Sequence, residues 1–441
     1  MRLNTFSIST AIMLLMSSLT SVFAAESKIK ADSLPEPLTL DLALSLIDQQ
    51  HPDLRYVDAD LKNARSDLLE KLSNNDLRVN LRAESKWIRP SAIAMNQSTE
   101  EQRLVLDVNK TLYDFGRSSA QVDAASQQVE SQNLQYLNVR QRQHINVMTR
   151  YFDVVLADLQ FYRYNEEMAV AYIEFDRTQI RAKLGQRTEL EVAEKNAAYQ
   201  RIRRLRTQSQ NQQRVTRSLL AQALNKPNSL PATVARPELD VLSRKLPEIE
   251  FLQKKVKENN PVLTALRAEL IAAKKDINYA HASDNPVLTG GFQAFKYTME
   301  SNTANDWEAN VTLDVPLWSG GQVDAAVAKA KAAAYKIEAQ LAQQELAAQQ
   351  QVLELYLGVK TLKIKYDEVL ANMDFTELSL DQNRALYELE VKSDLGYSMV
   401  RFSEAERDVV KTNFEIALSW AQLDALSGNL LNKSNKLSTN K

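Results

Sequence analysis

The sequence predicts a mainly α-helical fold with a small β part, laid down twice along the chain. Three observations carry this. The stretch Asp314-Val-Pro-Leu-Trp-Ser-Gly-Gly leads out of an alternating strand into a segment from Gln322 to about 391 that has no proline and one glycine, Gly358. As one continuous helix, such a segment reaches on the order of 100 Å. Across 441 residues there are only 9 glycines and 11 prolines, while Ala, Leu, Gln, Glu, Lys and Arg dominate, which is the balance of long helices. Landmarks also recur: Gly116 with Gly321 and Tyr151 with Tyr356 at an offset of 205, and Thr188 with Ser398 at 210. A repeat of that length marks a tandem duplication.

Residues 1–24 have the layout of a secretory signal peptide. Arg2 supplies the positive start, Ile8 to Leu19 the apolar core, and Val22-Phe23-Ala24 the small residues before cleavage. The apolar core is too short for a membrane span, and no later run is long enough for a transmembrane helix. Any membrane-spanning part must then be a closed barrel. With no cysteine there is no disulfide, thiolate chemistry or lipidated N-terminal cysteine.

The first repeat is placed at 25–246. After a polar leader with Pro35 and Pro37, Thr39–Ser73 carries leucines near a 3.6 period, with a kink or new start at His51-Pro52. The period then changes to two. In the segment 77–87, Leu77, Val79, Leu81, Ala83, Ser85 and Trp87 form one face and Arg78, Asn80, Arg82, Glu84 and Lys86 the other. A second strand from about Arg103 to Tyr113 completes a hairpin over 77–113. Gly116 ends it, and a long helix is expected over 117–183, with Ile145, Met148, Phe152, Val155, Leu159 and Tyr162 as a coiled-coil seam. A tip at 184–188 with Gly185 and the potential N-cap Thr188 precedes a return helix at 189–224. The prolines Pro227, Pro231, Pro237 and Pro247 mark the connector.

The second repeat, 247–427, follows the same plan. A helix kinks at Asn260-Pro261, and a strand hairpin occupies 286–317, with Phe292 and Phe295 in its first strand. A long helix is expected over 322–391, a tip over 392–397 and a return helix over 398–426. Residues 428–441 form a loose polar tail.

Strands with one apolar and one charged face do not suit a soluble sandwich core, and four strands cannot close a barrel alone. Three chains giving four strands each would make a 12-stranded barrel, apolar face to lipid and polar face to a lumen. Trp87, Trp307 and Trp318 near the strand ends suit an aromatic belt at the membrane interface.

Across nearly the whole mature chain the sequence resembles the TolC-like outer-membrane efflux and secretion channels. The resemblance rests on Thr111-Leu-Tyr-Asp-Phe-Gly-Arg117, on 314–322, and on the duplicated tips, in this order and spacing. It implies a homotrimer with a β-barrel in the outer membrane and an α-helical tunnel through the periplasm. It implies as partners a periplasmic adaptor and an inner-membrane pump of RND or ABC type, with drugs or a secreted protein as cargo. Gly116, Pro316, Gly320 and Gly321 would form the barrel-to-tunnel turns. Gly185, Gln186, Thr188, Gly396 and Ser398 would be tip positions that meet the adaptor. Glu191 falls where the family often has an Asp bonded to a Tyr on the other hairpin, for which Tyr387 is the candidate. The positions of a second family link, Arg to Thr, hold Tyr397 and Leu190. Those of two entrance Asp hold Arg401 and Glu404.

Other chemistry finds little support. The three histidines, His51, His144 and His281, are scattered, so neither a metal site nor a Ser-His arrangement is expected. Ser319-Gly320-Gly321 lacks the Gly-Lys-Ser/Thr that completes a phosphate loop. No enzyme activity and no cofactor are expected. The net charge of -2 and the export signal argue against a nucleic-acid partner. The basic run Arg201, Arg203, Arg204, Arg206, Arg214 and Arg217 is expected to be a solvated face or one bridged to neighbouring helices. The rival reading is a structural periplasmic coiled-coil protein whose strands form a soluble cap.

Overall fold

The computed structural model describes residues 34–90, 92–93, 97–298, 305–389 and 394–431. The expected signal peptide, most of the tail, parts of both strand-hairpin loops and residues 390–393 of the second tip lie outside these. In chain order the elements are α1 (Leu40–Ser45), α2 (Pro52–Ser73), β1 (Arg78–Trp87), β2 (Glu100–Tyr113), α3 (Arg117–Lys183), α4 (Glu189–Ala223), α5 (Ile249–Asn259), α6 (Pro261–His281), β3 (Val287–Tyr297), β4 (Trp307–Asp314), α7 (Gln322–Glu388) and α8 (Leu395–Leu426).

The two long helices α3 and α7 each hold 67 residues, and each ends 205 positions from its counterpart. The turns that launch them are built alike. Phe115 and Gly116 have φ of +52° and +90°, and Gly320 and Gly321 of +63° and +82°. Two successive left-handed residues swing the chain from strand to helix, and the second must be cheap in that region, which glycine is. The hydrogen bonds match as well: Arg117 N–H to Asp114 O and Gln322 N–H to Ser319 O are both 3.2 Å. Pro316 lies beyond the end of β4, so the last strand stops at Asp314 and not at the expected 317; Val315 to Leu317 belong to the turn.

The two prolines act as new starts. His51 Nδ1 accepts from Asp53 N–H at 3.3 Å, and Asn260 Oδ1 accepts from Val262 and Leu263 N–H at 2.9 and 3.2 Å. Each caps a helix with proline in its first turn, where the missing N–H costs nothing.

The four strands form one antiparallel meander, β1-β2-β3-β4, in which β2 and β3 join the repeats. The helices stand side by side in a fixed lateral order. On the sheet side of the centre it is α2, α3, α6, α7; on the tip side it is α7, α8, α3, α4. The main apolar core lies at mid-height, where the repeats meet. Phe152 on α3 stacks on Phe414 on α8 with ring centroids 4.1 Å apart, beside the buried Leu38, Val147, Leu220 and Leu224. The Tyr151 hydroxyl lies 2.9 Å from Leu38 O and 2.6 Å from Ala235 O, so it ties the leader and the connector to the long helix. Burial, then the charge of Asp41, pushes its pKa up to about 12, so it remains a hydroxyl donor.

Candidate functional site

The first tip is a tight, locally satisfied turn. Gln186 N–H bonds to Arg181 O and Gly185 N–H to Ala182 O, both at 2.9 Å, and Gly185 takes the left-handed φ of +73° that such a helix end requires. Thr188 then opens α4 with a capping box. Its Oγ1 accepts from Glu191 N–H at 3.3 Å while Glu191 Oε2 accepts from Thr188 N–H at 2.9 Å. Arg187 binds the other carboxylate oxygen at 2.6 Å. The Thr188 amide first, and the Arg187 guanidinium next, hold the Glu191 carboxyl below its usual range. Leu184 and Leu190 stand exposed on either side of the tip.

The expected Glu191–Tyr387 hydrogen bond is not made among the described residues. Both Glu191 oxygens are taken within its own tip, because Thr-x-x-Glu at a helix start closes on itself. Tyr387 is exposed in the last turn of α7. Arg401 is exposed, and Glu404 lies 3.5 Å from Arg163 of the first hairpin.

The second tip departs from expectation. The helix resumes at Leu395, so Gly396, Tyr397 and Ser398 are its first turn and not tip residues. Ser398 is buried and accepts from Asn383 Nδ2 at 2.9 Å, which makes it a pin between α7 and α8 and not an exposed contact.

The two hairpins meet instead along α3 and α8. Ser403 Oγ donates to Glu166 Oε2 at 2.5 Å, and Arg163 reaches both Glu404 and Glu167. Nearer the tips, Glu174 Oε2 accepts from Lys195 Nζ at 2.7 Å and from the Tyr397 hydroxyl at 3.4 Å. Glu174 thus joins α3, α4 and α8. Burial, followed by the Glu174 charge, raises the Tyr397 pKa, and the Glu174 hydrogen bond raises that of Lys195. Arg163, Glu166, Glu174 and Lys195 were not singled out from sequence. On one helix they read as ordinary solvated charges, and only the lateral packing gives them partners.

The strands carry the expected two faces. Register pairs Val79 with Val108, Leu81 with Leu106, Phe292 with Val108 and Ala309, and Trp307 with Ala294, so one face is apolar across the middle of the sheet, with Ser85, Gln102 and Lys296 towards its loop end. It is unpartnered: Leu81, Trp307 and Val311 are 68%, 64% and 69% exposed. The other face carries Arg78, Asn80, Arg82, Asp107, Gln293 and Glu308. Phe295, next to Phe292 on the same strand in the sequence reading, lies on this polar face opposite Val105. There the Arg103 guanidinium sits 5.1 Å from its ring centroid and 5.6 Å from that of Tyr297. β1 and β4 each leave one edge unpaired within the chain.

Among the described residues no group of His, Cys, Asp or Glu could hold a metal, and no helix is long and apolar enough to cross a membrane. Residues 252–429 match the profile of the family described as outer membrane efflux protein. The matched family is one of outer-membrane channel proteins, which places the chain in the cell outer membrane with its helical part on the periplasmic side. No curated protein sequence matches the chain. Solved structures share the fold over most of the chain, at low identity. VceC from Vibrio cholerae is 16% identical, with a TM-score of 0.70 over 89% of this chain and 96% of its own. The CmeC outer membrane channel of Campylobacter jejuni is 14% identical, with a TM-score of 0.74 over 91% and 89%. The open-state MtrE outer membrane channel of Neisseria gonorrhoeae is 17% identical, with a TM-score of 0.70 over 89% of each chain.

Proposed function

We propose that this chain is the outer-membrane exit duct of a tripartite efflux pump or type I secretion system, working as a homotrimer. The observation that carries the reading is the sheet: four strands with an unpartnered apolar face, a charged opposite face and two free edges. An open edge is not tolerated in lipid, so closure requires further strands, and three copies supply a 12-stranded barrel. The apolar face then meets lipid and the polar face lines a lumen. The helices continue that wall into the periplasm as a tunnel.

In this reading the duct is passive, and an inner-membrane pump, of RND or ABC type, drives transport through a periplasmic adaptor. Gly185, Gln186 and Thr188, with the exposed Leu184 and Leu190, form the surface offered to that adaptor. The entrance is held shut where the hairpins touch, at Glu174, Tyr397 and Lys195 and at Arg163 and Glu404. Drugs or a secreted protein are the cargo classes such a duct carries.

The test is the purified mature protein in detergent and in planar bilayers. A trimer by light scattering and discrete single-channel conductance are expected. A monodisperse monomer, or a soluble periplasmic pool on fractionation, overturns the reading.

A further inference from the structure

Two aromatic rings stand where the strand alternation calls for polar side chains. Phe295 and Tyr297 share the charged face of β3 with Gln293, and their rings stack with centroids 5.7 Å apart and planes 18° from parallel. Arg103, directly opposite Tyr297 on β2, lays its guanidinium over both rings. Val105, opposite Phe295, is 7% exposed and is the one buried residue among those described in the four strands. A charged face therefore holds an apolar island with a cation for a roof.

The roof is chemically open. Arg103 makes no side-chain hydrogen bond or ion pair among the described residues; its Nε is buried without a partner, and its two terminal nitrogens remain accessible. The nearby carboxylates are engaged elsewhere. Glu84, across the ladder from Arg103, is held by Lys86 at 3.3 Å, and Glu101 lies opposite that same lysine. Asp107 accepts from Asn109 and Gln293 at 2.8 and 2.6 Å. Arg82, opposite Val105, adds a second cation beside the island. A flat guanidinium with unused donors, backed by stacked rings, suits a ligand that is both flat and anionic.

Position in the fold says what passes this spot. Tyr297 is the last residue of β3 and Arg103 lies near the start of β2, so both are at the loop end of the sheet, away from the helices. With the helices on the periplasmic side, the loop end is outermost. In the duct reading the charged face lines the lumen, and cargo meets these rings last.

We infer that Arg103, Phe295 and Tyr297 form an exit station that binds aromatic carboxylates. The carboxylate takes the open guanidinium nitrogens, and the ring of the ligand stacks against the part-exposed Phe295 and Tyr297. The inference rests on the duct reading, with one station supplied by each copy of the chain.

The probe is 2-naphthoate. Cyclohexanecarboxylate, of equal charge but saturated, and naphthylmethylammonium, an aromatic cation, are the controls. Binding to the purified mature protein in detergent is read from naphthoate fluorescence and its displacement, and each compound is added at the loop side of single channels in planar bilayers. The native protein is expected to bind 2-naphthoate about tenfold or more tightly than either control, and to show brief current blocks with it. Arg103→Gln and, separately, Phe295→Leu are each expected to weaken binding and shorten the blocks about tenfold. Glu84→Gln removes the nearest competing carboxylate and is expected to strengthen binding. Equal responses to all three compounds, or naphthoate binding unchanged in both weakening variants, overturn the station and leave the duct intact. Binding without any current block puts the rings outside the conducting path and overturns the exit role. A native protein that neither trimerises nor conducts overturns both readings.

Discussion

Gly396 sits against Val170 with no room between them: a Cβ built on the glycine lies 2.7 Å from Val170 Cγ2. Here the first turn of α8 touches the first hairpin, just beside the Tyr397–Glu174 contact. Gly396→Ala should force the hairpins apart at a cost of about 1–3 kcal/mol, as overpacking does. A lower thermal midpoint and larger single-channel conductance are expected, and Val170→Ala in the same chain should reverse both. Conductance unchanged from the native protein would show that this contact does not hold the entrance.

Glu174 serves both Lys195 and Tyr397, so Glu174→Gln should loosen the entrance more than Tyr397→Phe does. Bilayer recordings of the two variants decide it. Glu191→Gln should behave differently. Its carboxylate belongs to the Thr188 capping box, so the variant should loosen the tip locally and leave conductance near native.

Arg244 makes a two-pronged contact with Asp424, at 2.6 and 2.9 Å, and lies 4.0 Å over the Trp420 ring. Lysine keeps the charge but loses the planar fork and the stacking. Arg244→Lys should therefore cost roughly 2 kcal/mol, read as a fall in the thermal midpoint. A native midpoint would mean that the charge alone suffices.

Asp276 has its pKa raised by burial, with no compensating cation. The folded state thus favours the protonated acid, and ionisation at neutral pH works against folding. Asp276→Asn should raise the thermal midpoint at pH 7. The gain should shrink as pH falls towards the ordinary carboxylate range, where the native side chain is itself protonated. Melts at several pH values test the sign; equal shifts at all pH values would exclude the electrostatic origin.

How far the sequence reading reached follows the range of the interactions. The long helices, their launching turns and the breaks at the two prolines were legible because they depend on neighbouring residues: no proline for nearly seventy positions, Gly116 or Gly321 before them, and His51-Pro52 or Asn260-Pro261, the last expected as a kink and found as a new helix start. The alternation of β1 was equally local. Phe292 and Phe295, three apart in one strand, fall on opposite faces by the period of two alone, but only strand register shows what each faces. The start of α8 was missed because Asp394 gives no side-chain cap and so leaves no signature. Glu174 with Lys195 and Tyr397 was out of reach for another reason. Those residues are brought together by two hairpins lying side by side, and no short pattern records that.

The equal lengths of α3 and α7 make the protein a ruler with two matched scales. One residue added to either helix would lower its tip by about 1.5 Å and turn every later side chain by about 100°. The far end would then present the wrong face to its neighbours. A change in reach is tolerable only when both helices gain or lose nearly whole numbers of turns together. Duplication therefore supplied more than a second hairpin: it left each copy as the gauge against which the length of the other is kept.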